Sequence, residues 1–213
     1  MKQFKRLILA LTITACAVNV FAQGLIVFGN HITGSVLAPI YGPEPYDCCW
    51  QVQGNTANGF PAGTAIYTGP ALSGSGFTVQ LWGGPEANSL SPVAEATFGT
   101  GNGAGYFASR MATIDGVAAG SPATVQLRAW DNQGGTLTTW AQAVSAGTGL
   151  GLSLIFTTPP LGGGINVPPN LVGLTSFSIR YVPEPSVFAL AGLGAALWFV
   201  FRRTHQNSTD QRT

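Results

Sequence analysis

Between residues 23 and 182 the chain carries one histidine, His31, two adjacent cysteines, Cys48 and Cys49, and six carboxylates, Glu44, Asp47, Glu86, Glu95, Asp115 and Asp131. A nucleophilic relay needs a base within hydrogen-bond reach of an activated hydroxyl or thiol. His31 follows Asn30 in what reads as a loop, and no G-x-S-x-G turn accompanies it. A zinc site needs several nitrogen or sulfur ligands at compatible spacing, and one histidine beside an unspaced cysteine pair does not supply them. No metal and no cofactor is expected. Two carboxylates ~5 to 9.5 Å apart are enough to hydrolyse a glycoside. Yet Glu44, Asp47, Glu86, Asp115 and Asp131 stand among Gly, Pro and Asn, where a solvated or turn-capping carboxylate is expected, and Glu95 falls on the polar side of a strand. The expectation is a non-enzyme, with a glycosidase as the lesser alternative.

Neighbouring cysteines rarely bridge each other without strain, and the remaining cysteine, Cys16, lies in the leader. Three states stand open for Cys48 and Cys49: a strained vicinal disulfide, bridges between molecules, or two buried thiols beside Trp50. The aromatics Trp50, Trp82, Trp130 and Trp140, with Tyr41, Tyr46, Tyr67 and Tyr106, are the one hint of a ligand surface. Exposed indole faces beside Asn, Gln and Asp can stack on sugar rings, and Trp82 and Trp130 are the candidate glycan contacts. Most of these aromatics are equally at home packed in a β-rich core.

The elements that must position these residues are strands. Residues 23–181 are rich in Gly, Thr, Ser, Val and aromatics and poor in Lys and Glu, which favours an all-β domain of one core. Short apolar or alternating runs recur between turn signals at 25–29, 35–40, 77–82, 93–98, 105–114, 123–130, 152–157 and 175–181. The run at 35–40 is expected to pair beside 25–29. This spacing predicts a β-sandwich or jelly-roll-like fold. In 123–130 the alternation directs Val125, Leu127 and Ala129 inward, with Gln126, Arg128 and Trp130 outward. In 77–82 it directs Phe77, Val79 and Leu81 inward, with Thr78, Gln80 and Trp82 outward. The spacing of Trp140, Ala141, Ala143 and Val144 predicts a short helix over 139–146. Asp131 to Gly135 reads as a turn, and 158–170 as a long connection. Gly99, Gly101, Gly103 and Gly105 read as a flexible loop, since they do not follow the phosphate-cradling pattern.

Both ends of the chain concern export. Lys2, Lys5 and Arg6 precede a short apolar run at 7–15, and Val20-Phe21-Ala22 offers small residues at a cleavage site. This predicts a signal peptide over 1–22, cut between Ala22 and Gln23. The alternative is lipidation at Cys16, because Ile13-Thr14-Ala15-Cys16 looks like a lipobox. At the other end come Pro183-Glu184-Pro185, an uncharged apolar run at 186–201 and the pair Arg202-Arg203. Two prolines keep the joint extended. Sixteen residues of helix reach ~24 Å, slightly short of a ~30 Å hydrocarbon core. Arg202 and Arg203 can snorkel to the cytoplasmic interface as a membrane stop, with Trp198 anchoring beside them. Pro43-Glu44-Pro45 lacks any following apolar run and reads as a turn.

The proline joint, short apolar helix and arginine pair together resemble the PEP-CTERM sorting signal of Gram-negative bacteria, which is handled by an exosortase. The resemblance implies processing at Pro183, Glu184 and Pro185, a transmembrane helix over 187–201 and a basic cytoplasmic tail over 202–213. It implies export, transient or stable holding in the inner membrane, and delivery to the cell surface or beyond. It also suggests association with exopolysaccharide or a biofilm matrix. Sequences of this class end soon after the basic pair, whereas here ten residues follow it. A plain tail-anchored protein is the alternative. Between 23 and 182 three basic residues, Arg110, Arg128 and Arg180, face six acidic ones, a net charge of −3. That balance excludes the basic surface nucleic-acid binding needs. The organisation expected is a signal peptide over 1–22, an ectodomain over 23–181 and a sorting tail over 182–213, serving a structural or adhesive role. A carbohydrate-binding module is the alternative.

Overall fold

The computed structural model describes residues 23–181 together with Leu197 and Trp198. The leader, the Pro-Glu-Pro joint, the remainder of the apolar stretch and the arginine pair lie outside the described residues. No helix among the described residues is long and apolar enough to cross a membrane.

Strands dominate residues 23–181. In chain order they are β1 (Gln23–Phe28), β2 (His31–Ile32), β3 (Val36–Leu37), β4 (Ile40–Tyr41), β5 (Phe77–Gly84), β6 (Ser91–Thr97), β7 (Arg110–Ala118) and β8 (Thr124–Asp131). One short helix, α1 (Trp140–Ser145), precedes β9 (Gly149–Leu152), β10 (Phe156–Thr157), β11 (Phe177–Ser178) and β12 (Arg180–Tyr181). The largest sheet runs β12-β9-β8-β5-β6, with β10 also on β8. Along one side of β8, β9 covers Arg128 to Trp130 and β10 covers Thr124 and Val125. The chain bends between them at Ser153, whose hydroxyl accepts the Leu127 N–H at 2.9 Å and continues the pairing where the strand breaks. β1 and β7 form a separate antiparallel ladder. β2 pairs with β3, and β4 runs parallel to β11. These sheets are open; none closes into a barrel.

The core forms because period-2 alternation gives each ladder one apolar face. Val79 and Leu81 of β5 and Val125, Leu127 and Ala129 of β8 are fully buried, as the alternation predicts. They pack in one cluster with Ile26 and Phe28 of β1, Ala112 and Ile114 of β7, and Ile40, Phe177 and Ile179. Gly83 leaves space for Ile114, whose Cδ1 lies 3.2 Å from where a β-carbon would stand. The β1–β7 ladder therefore approaches β5 closely.

Some expectations change. The run at 35–40 does not lie beside β1, which takes β7 instead, while β3 turns back onto β2. His31 is in β2, its ring tilted against that of Tyr106 with centroids 4.4 Å apart, not in a loop. The glycine run forms a compact 3₁₀ turn, Gly101–Gly103, closed by Gly99 N–H donating to Tyr106 O at 2.8 Å. Asn30 is the buried hub of this end. Its amide donates to the carbonyls of Ala38 and Gly105, both at 2.9 Å, and its Oδ1 accepts from Phe107 N–H at 3.2 Å.

Candidate functional site

On the outer face of the largest sheet, Gln80 of β5 stands opposite Arg128 of β8, and Trp82 stands opposite Gln126. The Arg128 guanidinium carbon lies 3.6 Å from the Trp82 ring centroid and 5.5 Å from that of Trp140. Arg128 Nε donates to Gln126 Oε1 at 3.2 Å, which fixes the rotation of the planar group. Trp82 Nε1 donates to Gln80 Oε1 at 2.8 Å, and Gln80 Nε2 reaches toward Glu95 Oε2 at 3.4 Å. The i, i+2 pairs Gln80/Trp82 and Gln126/Arg128 share a face because strands alternate sides. Antiparallel register then sets the arginine against the indole.

Arg128 shares this face with Glu95, which stands across Gln80 on β6, and its guanidinium is incompletely satisfied. No carboxylate of the described residues lies in ion-pair range of Arg128, and partial burial lowers its pKa from the ordinary arginine value. The cation is held by the indole quadrupole instead, an interaction of ~0.5 to 2 kcal/mol. Among the described residues its terminal nitrogens hold no partner, and they can take a planar anion bidentately.

The helix α1 explains why Trp130 does not share this surface. Thr139 accepts from Gln142 N–H at 3.2 Å, while Gln142 Oε1 accepts from Thr139 N–H at 3.0 Å, a reciprocal capping box. The capped helix brings Trp140 edge-on to Trp130, centroids 6.0 Å apart. Trp130 Nε1 donates to Leu137 O at 3.0 Å, and its side chain is fully buried. The expectation that Trp130 faces outward as a glycan contact is corrected: a second layer covers that end of the sheet. Gln126, also expected outward, is buried where its Nε2 donates to Ser153 O at 3.2 Å. Trp82 stays half-buried, but one of its faces is covered by Arg128. The sequence put Trp82, Gln80, Gln126 and Arg128 on outward faces but did not pair the two strands, and it is the β5–β8 register that brings them into one site.

Cys48 and Cys49 lie elsewhere, on a loop beside β12. Both are exposed free thiols with sulfurs 3.6 Å apart, so of the three states left open the two buried thiols are not the one seen. Trp50 and Tyr46 beside them are exposed as well. The loop closes through Asp47 N–H donating to Glu44 O at 3.3 Å, and Cys48 O accepts from Tyr181 N–H at 2.8 Å.

The carboxylates do not converge in one cleft. Glu86 is exposed between β5 and β6, Glu95 on β6 and Asp115 on β7. Asp131 Oδ1 caps its own turn by accepting from Gln133 N–H at 2.9 Å. Glu44 differs from the solvated reading: it is buried, its Oε2 accepts from the Thr68 N–H at 3.0 Å and from the Thr68 hydroxyl, and its Oε1 has no partner. Among the described residues no three His, Cys, Asp or Glu side chains are grouped to hold a metal ion.

Of the processing residues, Ala22, Pro183, Glu184, Pro185, Arg202 and Arg203 lie outside the described residues, as does Cys16. Gln23 is described and opens β1. Residues 182–203 match the family model of the PEP-CTERM protein-sorting motif. That match marks an exported protein addressed to the cell envelope and sorted by an exosortase. It begins at the residue after Tyr181, the last of β12. No curated protein and no solved structure matches the chain.

Proposed function

We propose that this chain is a structural or adhesive component of the cell surface, delivered by its sorting motif and held to extracellular polysaccharide by the outer face of its β-sandwich. The observation that carries the reading is the match of residues 182–203 to the PEP-CTERM protein-sorting motif. The ladder of β1 and β7 lying against β5 supports the sandwich description. Dispersed carboxylates support a binding role over catalysis, since glycoside hydrolysis needs an opposed pair.

Within this reading the contact is Arg128, flanked by Trp82 and Trp140. A neutral sugar stacking on Trp82 would compete with the guanidinium already lying on that face. A carboxylate-bearing sugar instead meets the open terminal nitrogens of a cation whose Nε is already fixed. The ligand class is therefore an acidic polysaccharide. The test is retention on immobilised alginate against immobilised dextran. Retention on alginate alone, lost in Arg128→Met and weakened by salt, is expected. Equal retention on both matrices, or an unaffected Arg128→Met, would overturn the assignment.

A further inference from the structure

Cys48 and Cys49 are the two cysteines between residues 23 and 181, and neither has a bonded partner. Among the described residues the one cis peptide is Phe60–Pro61, so the bond joining the cysteines is trans. A trans bond holds adjacent Cα atoms ~3.8 Å apart, whereas disulfides span ~4.4 to 6.8 Å between Cα atoms. Closing the pair on itself would require the backbone to distort. Closing either thiol onto another molecule would not, since both are exposed.

The surroundings suit a partner. Tyr46 is 97% and Trp50 65% exposed, two large aromatic side chains flanking the thiols. These two exposed aromatics give a partner apolar surface to cover beside the thiols. The Cys48 carbonyl is bonded to the N–H of Tyr181, immediately before the sorting motif. Copies sorted by the same motif arrive at the same surface with this loop beside the start of that motif, which raises their effective concentration for one another.

We propose that Cys48 and Cys49 form a covalent joint between two copies of this chain. A twofold axis through the loop sets Cys48 of one copy against Cys49 of the other, and the reverse, so both bridges form by the same contact. The oxidant is a disulfide, carried by a protein or a small thiol of the export compartment. The Cys48 thiolate attacks one sulfur of that disulfide. The oxidant's S–S bond breaks, one oxidant thiol leaves carrying a proton, and a mixed disulfide remains on Cys48. A thiolate of the second copy attacks the Cys48 sulfur, the bond between copies forms, and the second oxidant sulfur leaves as a thiol with the second proton. Per bridge, two protein thiols are oxidised and one oxidant disulfide is reduced to two thiols. That the chain meets such an oxidant rests on its export; the pairing geometry does not.

The test is the intact mass of protein recovered from producing cells with thiols blocked by N-ethylmaleimide at lysis. The expected result is twice the monomer mass, falling to the monomer on reduction with dithiothreitol. Because each bridge needs Cys48 of one copy and Cys49 of the other, Cys48→Ser, Cys49→Ser and the double variant are each monomeric, with an unchanged circular dichroism spectrum. A monomer carrying two maleimides, a monomer bridged internally, or a bridge to a different protein would each overturn the joint. If the chain still carries its leader, the export reading fails, and purified protein oxidised with oxidised glutathione decides the joint alone: a monomer there overturns it.

Discussion

The Arg128 guanidinium carbon lies over Trp82, 3.6 Å from the ring centroid, on the outer face of the largest sheet. A cation over an indole, steered by Gln126 and without a carboxylate of the described residues in range, is arranged to meet an anion from outside. The arrangement separates two tryptophans that the sequence alone presents as equivalents.

Trp130→Ala removes a fully buried ring and its hydrogen bond to Leu137 O, and should cost about 3 to 5 kcal/mol. Trp82→Ala should cost about 1 kcal/mol, from the cation–π contact. Urea denaturation checks both. Comparable losses for the two variants would contradict the separation of inner and outer tryptophan.

Arg128→Lys keeps the charge but replaces a planar fork by a point charge. Retention on alginate should fall several-fold with stability nearly unchanged, as read by column retention and thermal melting. Full retention would mean that net charge, not the oriented guanidinium, carries the contact.

The capping box ties α1 over Trp130. Thr139→Ala should lower stability by about 1 kcal/mol and increase quenching of Trp130 fluorescence by acrylamide. Restoration by Thr139→Ser, which supplies the same acceptor, would identify the cap as the cause. No restoration would point to the lost methyl instead.

Burial, with smaller contributions from Tyr41 and Glu44, raises the pKa of Tyr67, whose hydroxyl donates to Gly54 O at 2.7 Å. A raised folded-state pKa holds the proton more tightly in the folded protein. Its stabilisation is complete below the unfolded tyrosine value of about 10 and is lost as pH climbs from there toward the folded value. Stability should therefore fall above about pH 10. The fall should be shallower in Tyr67→Phe, though not abolished, because Tyr41, Tyr106 and Tyr181 are shifted the same way. Chemical denaturation across alkaline pH checks it; an identical slope in the variant would refute it.

Much of the sheet was legible because alternation is a local signal. Val79, Leu81, Val125, Leu127 and Ala129 lie inside as their spacing requires, and the helix spacing at 139–146 lands on α1 with Thr139 and Ala146 as its caps. Trp130 was misread because period 2 distinguishes two faces but does not say what covers the second. That cover, Trp140, returns ten residues later through a turn with Gln133 at φ 50°. Asn30 was invisible for a related reason: its acceptors and donor lie at residues 38, 105 and 107, so its burial is a property of the assembled fold. Of the candidate site, Trp82 was legible and the cation on it was not, since that contact depends on the register of β5 and β8. The sorting motif was legible because the order of Pro-Glu-Pro, apolar run and arginine pair is read along the chain, and the family match covers 182–203.

The most direct measurement of the central claim is the intact mass of the chain in the membrane, surface and medium fractions of cells with and without their exosortase. The account predicts a surface form beginning at Gln23 and ending near Pro183 to Pro185, lost when the exosortase is deleted. A chain that keeps residues 187–213 in the membrane whether or not the enzyme is present would contradict it.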